Sequence, residues 1–396
     1  MAKRVFLHVG TPNSGTTYVQ AVLWQNADAL KRDGLLLPGR LALHYAAAKG
    51  VTTRTAPRHE VDVDVQRGWQ RLARLSREWG DDALIGHELL APASREQARA
   101  AKRKLGQTEV HLVLTVRALH RQLPASWQEQ VKGGMALPFE TFIDRVRDRE
   151  ARGEWFWEVQ DTADIIARWA PRGQASRAHV VTVPVDSSDA ALLWSRFAGV
   201  LGLDPAAYDS EAPSTGRPLG VVETELLRRV HAVRDGRFTD PQRHLWTRRI
   251  LAGDVLAQRA SAPIRLPDSV RPWLDARTDE IVETIRKRGY DLAGDLSELA
   301  WTDPPPDARA VSSVTEDEID ETSRWAIARL QEALVERQPA HAPPAVGPDD
   351  GVAGILELLE HIRATDTGET PRPPILRKIS AVDRLRKTIT AALRRR

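Results

Sequence analysis

Four short apolar runs, each followed by a segment of helical periodicity, organise the first half of the chain. They are Val5–Val9, Ala83–Ile85, Val110–Val116 and His179–Val183. Short runs that are apolar at consecutive positions fit strands buried on both faces of a parallel sheet. The segments that follow repeat apolar residues every three or four positions. Thr16–Leu30 places Val19, Val22, Leu23 and Leu30 on one face, and Ser94–Leu105 begins with a serine suited to cap its first turn. Leu119–Val131 and Asp189–Leu201 complete the set. Strands alternating with helices predict right-handed βαβ units and a parallel sheet covered on both sides.

Beyond residue 220 the pattern turns helical, with Val221–Val233, Gln242–Gln258 and Asp279–Arg288. Asp303-Pro304-Pro305-Pro306-Asp307 reads as a linker. After it come an amphipathic segment, Glu316–Arg337, a proline- and alanine-rich stretch, Pro339–Pro348, a short apolar helix around Ile355–Ile362, and a basic amphipathic end, Ile375–Arg396. The expected organisation is a nucleotide-binding domain over 1–300, a linker over 301–315, and a helical, partly disordered extension over 316–396.

Composition narrows the class. At 396 residues, 42% hydrophobic and 28% charged, the chain has the material for a large buried core. A net charge of only +3 gives no global basic field, so no nucleic-acid partner is expected. The sequence has no cysteine, which excludes disulfides, thiolate metal ligands and cysteine nucleophiles from it. No run of about 18 uncharged apolar residues occurs, and the N-terminal run lacks the features of a signal peptide, so a cytoplasmic protein is the expectation. The basic end could touch an anionic surface weakly, although a solvated helix accounts for it as well.

The chemistry concentrates in Gly10-Thr11-Pro12-Asn13-Ser14-Gly15-Thr16-Thr17, which follows the first apolar run and opens the first helix. Helix N-termini carry unpaired N–H donors and positive dipole, and flanking glycines let the backbone curl around an anion. The spacing is that of a Walker A loop with threonine, Thr16, in the lysine position. That lysine normally meets the β- and γ-phosphates, and a Walker B aspartate normally serves magnesium. Here the third strand ends in Arg117. The pattern therefore favours a phosphate-like ligand handled without a metal over a P-loop kinase or NTPase.

Thr11-Pro12-Asn13-Ser14-Gly15-Thr16-Thr17 resembles the 5′-phosphosulfate loop of sulfotransferases, and the strand ending in Arg117 with the helix carrying Ser126 resembles that family's second nucleotide element. The closest resemblance is to bacterial, in particular actinobacterial, members. It implies a P-loop NTPase-like three-layer αβα fold and 3′-phosphoadenosine 5′-phosphosulfate (PAPS) as sulfuryl donor, with no metal. It also implies that Thr11, Pro12, Asn13, Ser14, Gly15, Thr16 and Thr17 hold the 5′ end, and Arg117 and Ser126 the 3′-phosphate. A third, looser match is Phe197–Gly202.

Sulfuryl transfer to a hydroxyl or amine needs a base for the acceptor proton. The second strand ends in His87-Glu88, at the position where the family's resemblance implies a catalytic histidine; Glu88 competes with it for the role. His8 lies inside the first strand and reads as a core residue. The family loop carries lysine where this chain has Asn13, which leaves these alternatives: another cation, such as Arg121 or Lys132, serves instead, or the protein is a slow enzyme, or it binds nucleotide or a partner without catalysis. The acceptor, a small molecule or a glycan, is expected to meet segments 41–68 and 132–157 and the helices after residue 220.

Overall fold

The computed structural model describes residues 2–53, 63–148, 155–170, 173, 175–186, 189–211, 218–233, 242–259, 261–337 and 344–367. In chain order the strands are β1 (Arg4–His8), β2 (Leu35–Leu36), β3 (Asp82–Gly86), β4 (Glu109–Val116), β5 (Ala178–Thr182) and β6 (Asp291–Ala293). The helices are α1 (Thr16–Gln25), α2 (Ala27–Arg32), α3 (Leu41–Thr52), α4 (Val63–Glu78), α5 (Arg95–Lys104), α6 (Leu119–Lys132) and α7 (Phe139–Arg147). They continue with α8 (Trp155–Gln160), α9 (Thr162–Trp169), α10 (Ala190–Leu201), α11 (Val221–Val233), α12 (Arg271–Arg288), α13 (Glu316–Arg337) and α14 (Gly351–Thr367). A π-helical segment, Arg243–Val255, lies between α11 and α12.

The chain divides into two compact units. The first comprises Met1–Ser126, Arg145–Thr215 and Asp268–Thr302, and the second Trp127–Asp144, Gly216–Pro267 and Asp303–Arg396.

The first unit is built on a six-stranded parallel sheet of order β2-β3-β1-β4-β5-β6. β1 sits near its centre, with Val5 in register with Ala83 on one side and Val110 on the other. One face carries Phe6, Leu84, Val113 and Val181, on which Val19, Val22 and Leu23 of α1 and Leu193, Trp194 and Phe197 of α10 are buried. Alternation along the strands sends Leu7, Ile85, Leu112 and Leu114 to the opposite face, where α9 packs on β4. Helices on both faces of a parallel sheet, with a loop leaving its central strand into α1, make a three-layer α/β fold.

The four expected strands are present within a residue at each end, and Ser94 caps α5 through a reciprocal capping box with Gln97. Four differences have physical causes. The expected helix Thr16–Leu30 breaks at Asn26, whose side-chain amide donates to the Val22 carbonyl at 2.8 Å, so α2 starts afresh. β2 and β6 are two and three residues long, too short for a periodicity to register. α12 starts eight residues earlier than expected, with Pro272 in its first turn, where a missing N–H costs nothing. Part of the segment expected as an acceptor loop over 41–68 forms α3 and α4, which pack on each other.

In the second unit α11, α13 and α14 pack together around Leu226, Leu227, Val230, Ile327, Leu330, Ile355, Leu356 and Leu359. A boundary between the units falls at Thr302/Asp303, and the C-terminal helices share their unit with Trp127–Asp144 and Gly216–Pro267. The stretch expected as a linker is tied down. Arg265 donates its N–H to the Arg309 carbonyl at 2.8 Å, Arg309 donates to the Pro263 carbonyl at 2.9 Å, and the Arg309 side chain pairs with Glu318. The basic end Ile375–Arg396 lies outside the described residues. Among the described residues no helix is long and apolar enough to cross a membrane.

Candidate functional site: the loop after β1

β4 fixes the loop from below. The Thr11 N–H donates to the Thr115 carbonyl at 2.9 Å, and the Thr115 N–H to the Gly10 carbonyl at 2.8 Å, which extends strand pairing past the end of β1. The Thr115 hydroxyl adds a bond to the Gly10 carbonyl at 3.1 Å and shares one of 2.6 Å with the Ser14 hydroxyl. Ser14 Oγ also contacts the Thr11 carbonyl, and the two hydroxyl protons satisfy two of these three contacts at a time, closing the loop on itself. From the side, the Gln122 amide donates to the Thr11 hydroxyl and the Pro12 carbonyl at 3.2 and 3.1 Å, and Gln160 donates to the same carbonyl at 3.0 Å.

Held this way, the chain turns through left-handed backbone at Asn13 (φ 60°) and Gly15 (φ 78°). A side chain at Gly15 would press on the tip of the Leu193 side chain of α10, and the left-handed backbone angle itself favours glycine there. The backbone N–H groups of Asn13, Ser14, Gly15, Thr16 and Thr17 have no acceptor among the described residues. Five consecutive free donors at the start of α1, reinforced by the positive end of the helix, are an arrangement able to hold a tetrahedral oxyanion.

Arg117 follows β4 directly. It donates to the Asn13 carbonyl at 3.3 Å and meets no carboxylate among the described residues. Burial, and secondarily the charge of Arg121, pull its guanidinium down to about 10, so it remains charged at neutral pH. A half-buried cation without a counter-charge incurs part of its desolvation cost, and a bound anion would relieve it. A small cavity lined by Thr11, Arg117, Gln160, Thr162 and Thr278 opens beside it. Ser126 is buried on α6, one turn beyond Gln122 on the same helical face, with no hydrogen-bond partner among the described residues. Thr16 is buried and Thr17 exposed.

β3 delivers His87 and Glu88 to the same end of the sheet. The His87 N–H donates to the His8 carbonyl at 3.0 Å, and the backbone of Glu88 approaches Gly10. The Leu89 N–H donates to His87 Nδ1 at 3.1 Å, so the neutral ring carries its proton on Nε2. Burial lowers the His87 pKa against the opposing pull of Glu88, whose Oε2 lies 3.5 Å from Nδ1. A ring whose free nitrogen already bears a proton is arranged to donate. The Glu88 carboxylate is part-exposed and accepts one bond, from Gln20 of α1 at 3.0 Å, leaving further lone pairs available. His8 is a core residue: its ring packs edge-on to Phe197, and burial drives its pKa down to about 3.

The two cations offered by the sequence as substitutes for the loop lysine are engaged elsewhere. Arg121 donates to the Pro184 carbonyl at 3.0 Å, and Lys132 reaches Glu129 at 3.4 Å. Thr115, Gln122 and Gln160 are the site residues missed by sequence reasoning. Thr115 sits in an apolar strand where a threonine carries no signal, and Gln160 is 148 positions from the carbonyl it holds. Gln122, five residues past Arg117, could have been found by asking which polar side chain in the first turn of α6 faces the loop. Among the described residues no cluster of three or more histidine, aspartate or glutamate side chains is arranged to hold a metal ion.

No family model matches the chain, and no curated protein matches it. Among solved structures it is similar to a sulfotransferase from Alicyclobacillus acidocaldarius, at 14% sequence identity and a TM-score of 0.35, over 52% of this chain and 85% of that one.

Proposed function

We propose that the chain is a PAPS-dependent sulfotransferase that transfers a sulfuryl group to a hydroxyl or amine of an acceptor. The observation that carries the reading is the row of five unpaired N–H donors from Asn13 to Thr17 beside a half-buried Arg117 that meets no carboxylate among the described residues. These residues fit the donor nucleotide: the row would hold its 5′-phosphosulfate, and Arg117 with Ser126 its 3′-phosphate. β4 offers Thr115 and Arg117 to the loop, neither a carboxylate, and the Walker lysine position is Thr16, which argues against a P-loop kinase or NTPase. PAPS, when bound, supplies an electrophilic sulfur and a phosphate leaving group. Glu88 takes the acceptor proton, His87 Nε2–H donates a hydrogen bond toward the reacting oxygens, and the loop N–H groups stabilise the charge growing on the leaving phosphate.

A second reading, a nucleotide binder without turnover, is favoured by the loop's missing lysine and by the engagement of Arg121 and Lys132 elsewhere. A thermal-shift series with 3′-phosphoadenosine 5′-phosphate (PAP), PAPS, ATP and GTP, each with and without magnesium, tests the shared core of both readings. PAP at about 100 times its Kd is expected to add about 2.7 kcal/mol without magnesium. Stabilisation by Mg-ATP alone would instead establish an NTPase-type site. Release of PAP from PAPS with acceptor then separates the enzyme from the binder.

A further inference from the structure

Tyr45 of α3 stands edge-on to His87, ring centroids 5.4 Å apart and planes at 64°, and is 47% exposed. The exposed positions Leu41, Tyr45 and Lys49 and the half-buried Thr52 follow at spacings of four, four and three, which is one stripe of the helix. The other side of α3, with Leu43, His44, Ala47 and Ala48, is buried. The stripe therefore leads from the end of β3 along the surface of α3, over a rise of about 10 Å from Tyr45 to Thr52.

At its far end is a cavity of about 450 Å³, lined among others by Thr52, Thr53, Ser94, Trp155, Glu158 and Arg168. Trp155 is 40% exposed and supplies an aromatic surface. The remaining lining is rich in acceptors. The Thr52 and Thr53 hydroxyls spend their protons on the Ala48 and Lys49 carbonyls at 3.0 and 2.6 Å, and their oxygens keep free lone pairs. Ser94 Oγ already accepts from the Gln97 N–H at 3.2 Å and has a lone pair left. Arg168 is neutralised by Asp164 at 2.8 Å and donates to the Ala91 and Ala93 carbonyls. Glu158 makes no side-chain bond among the described residues. An acceptor-rich wall with an unpaired carboxylate repels anions and suits a ligand with many O–H donors; the indole suits a ligand with an apolar face.

We infer that this cavity binds the distal ring of an extended, uncharged, hydroxyl-rich acceptor, an oligosaccharide of two or more units, whose near end passes Tyr45 to reach His87 and Glu88. Trp155 stacks on the sugar face and Glu158 accepts from its hydroxyls. The transfer rests on the proposed sulfotransferase reading, whereas binding in the cavity does not.

The test is calorimetric titration of the full chain, without nucleotide, with glucose, galactose and N-acetylglucosamine and the di- and trisaccharides of each, alongside Trp155→Ala and Glu158→Gln. The expected result is that a di- or trisaccharide binds at least about tenfold more tightly than its monosaccharide, and that each variant loses about tenfold of that affinity. The PAP-induced thermal shift, measured in parallel, stays unchanged in both variants and reports that they are folded. Absence of binding across the panel, affinity independent of chain length, or affinity untouched in both variants overturns the inference. A lost PAP shift with intact saccharide binding overturns the nucleotide reading and leaves the cavity assignment standing.

Discussion

Arg117 donates to the carbonyl oxygen of Asn13 at 3.3 Å, which ties the arginine at the end of β4 to a loop residue held at positive φ. One interaction thus joins the region proposed for the 3′-phosphate to the loop proposed for the 5′ end. Arg117→Ala is expected to remove a charge-assisted contact worth about 1.5–3 kcal/mol and to lower PAP affinity by roughly 10- to 150-fold. Adenosine 5′-phosphosulfate, which lacks the 3′-phosphate, should lose much less. Equal losses for the two ligands would reduce Arg117 to a loop-shaping residue.

The tautomer imposed on His87 separates the two base candidates. With Nδ1 accepting from Leu89, Nε2 bears the proton, and Glu88 is left as the group able to accept one. Glu88→Gln is expected to cut turnover by about 10²–10⁴ while PAP binding holds. His87→Gln, which retains an N–H donor, should cost less than His87→Ala. If Glu88→Gln turns over normally and both His87 variants are dead, the histidine is the base after all, and the Leu89 bond must yield during the reaction.

The central strands were legible because a short, mostly apolar run such as Val110–Val116, broken only by His111 and Thr115, fits a strand buried on both faces, and the loop was legible because Gly10 and Gly15 bracket it at a recognisable spacing. Legibility stopped where structure depends on distant partners. β6 is a strand because His179 and Val180 of β5 pair with Asp291 and Leu292, and nothing in the local pattern announces that. Likewise the periodicity of Glu316–Arg337 predicts the amphipathic helix that α13 is, but its apolar stripe does not say that α11 and α14 are what it covers. Thr115 illustrates the same limit within the site. Its importance arises from what leans on it across about a hundred residues of sequence.

That dependence makes Thr115 a sharp probe. Thr115→Val keeps shape and removes only the hydroxyl, leaving the Ser14 hydroxyl with the Thr11 carbonyl and the Gly10 carbonyl with the residue-115 N–H. The expected cost is about 0.5–1.5 kcal/mol of stability. Because the lost bonds shape the loop, PAP affinity should fall too. Chemical denaturation paired with PAP titration reads both, and an unaltered affinity would show that the loop keeps its form without this strut.

Removing residues 303–396 should not leave a well-behaved protein. Leu226, Leu227 and Val230 of α11 are buried within a unit completed by α13 and α14, and truncation would leave that apolar surface without its cover. Aggregation on expression, or binding of a hydrophobic dye by the soluble fraction, is the expected outcome. A monomeric, cooperatively unfolding 1–302 fragment would show that α11 finds other cover.

Acid sensitivity should be traceable to histidines buried in the neutral form. His44 Nε2 donates to the Pro38 carbonyl at 2.8 Å while Nδ1 accepts the Gly86 N–H at 3.2 Å, so the neutral ring satisfies both neighbours. A second ring proton on Nδ1 would have the Gly86 carbonyl at 3.3 Å as acceptor, yet burial outweighs that bond and lowers the His44 pKa to about 4. His8, deeper still, is lowered to about 3 by burial and by His87. Both folded values lie below the unfolded value of about 6.5. The unfolded chain therefore binds more protons than the folded one from there up to about pH 6.5, and stability rises with pH across that window. Read downward, stability is full above about pH 6.5 and is lost as the pH falls toward 4, by up to about 1.4 kcal/mol per pH unit for each such histidine. Above pH 5 most carboxylates stay ionised, so the slope between pH 5 and 6.5 reports on histidines. His44→Gln can still accept from Gly86 and donate to Pro38 but cannot titrate. Urea unfolding at pH 5 and 6.5 should show a smaller pH-dependent loss in this variant than in the wild type, even if it starts from a lower stability. An identical slope in both would mean that His44 gains its proton without cost and that other groups set the acid limit.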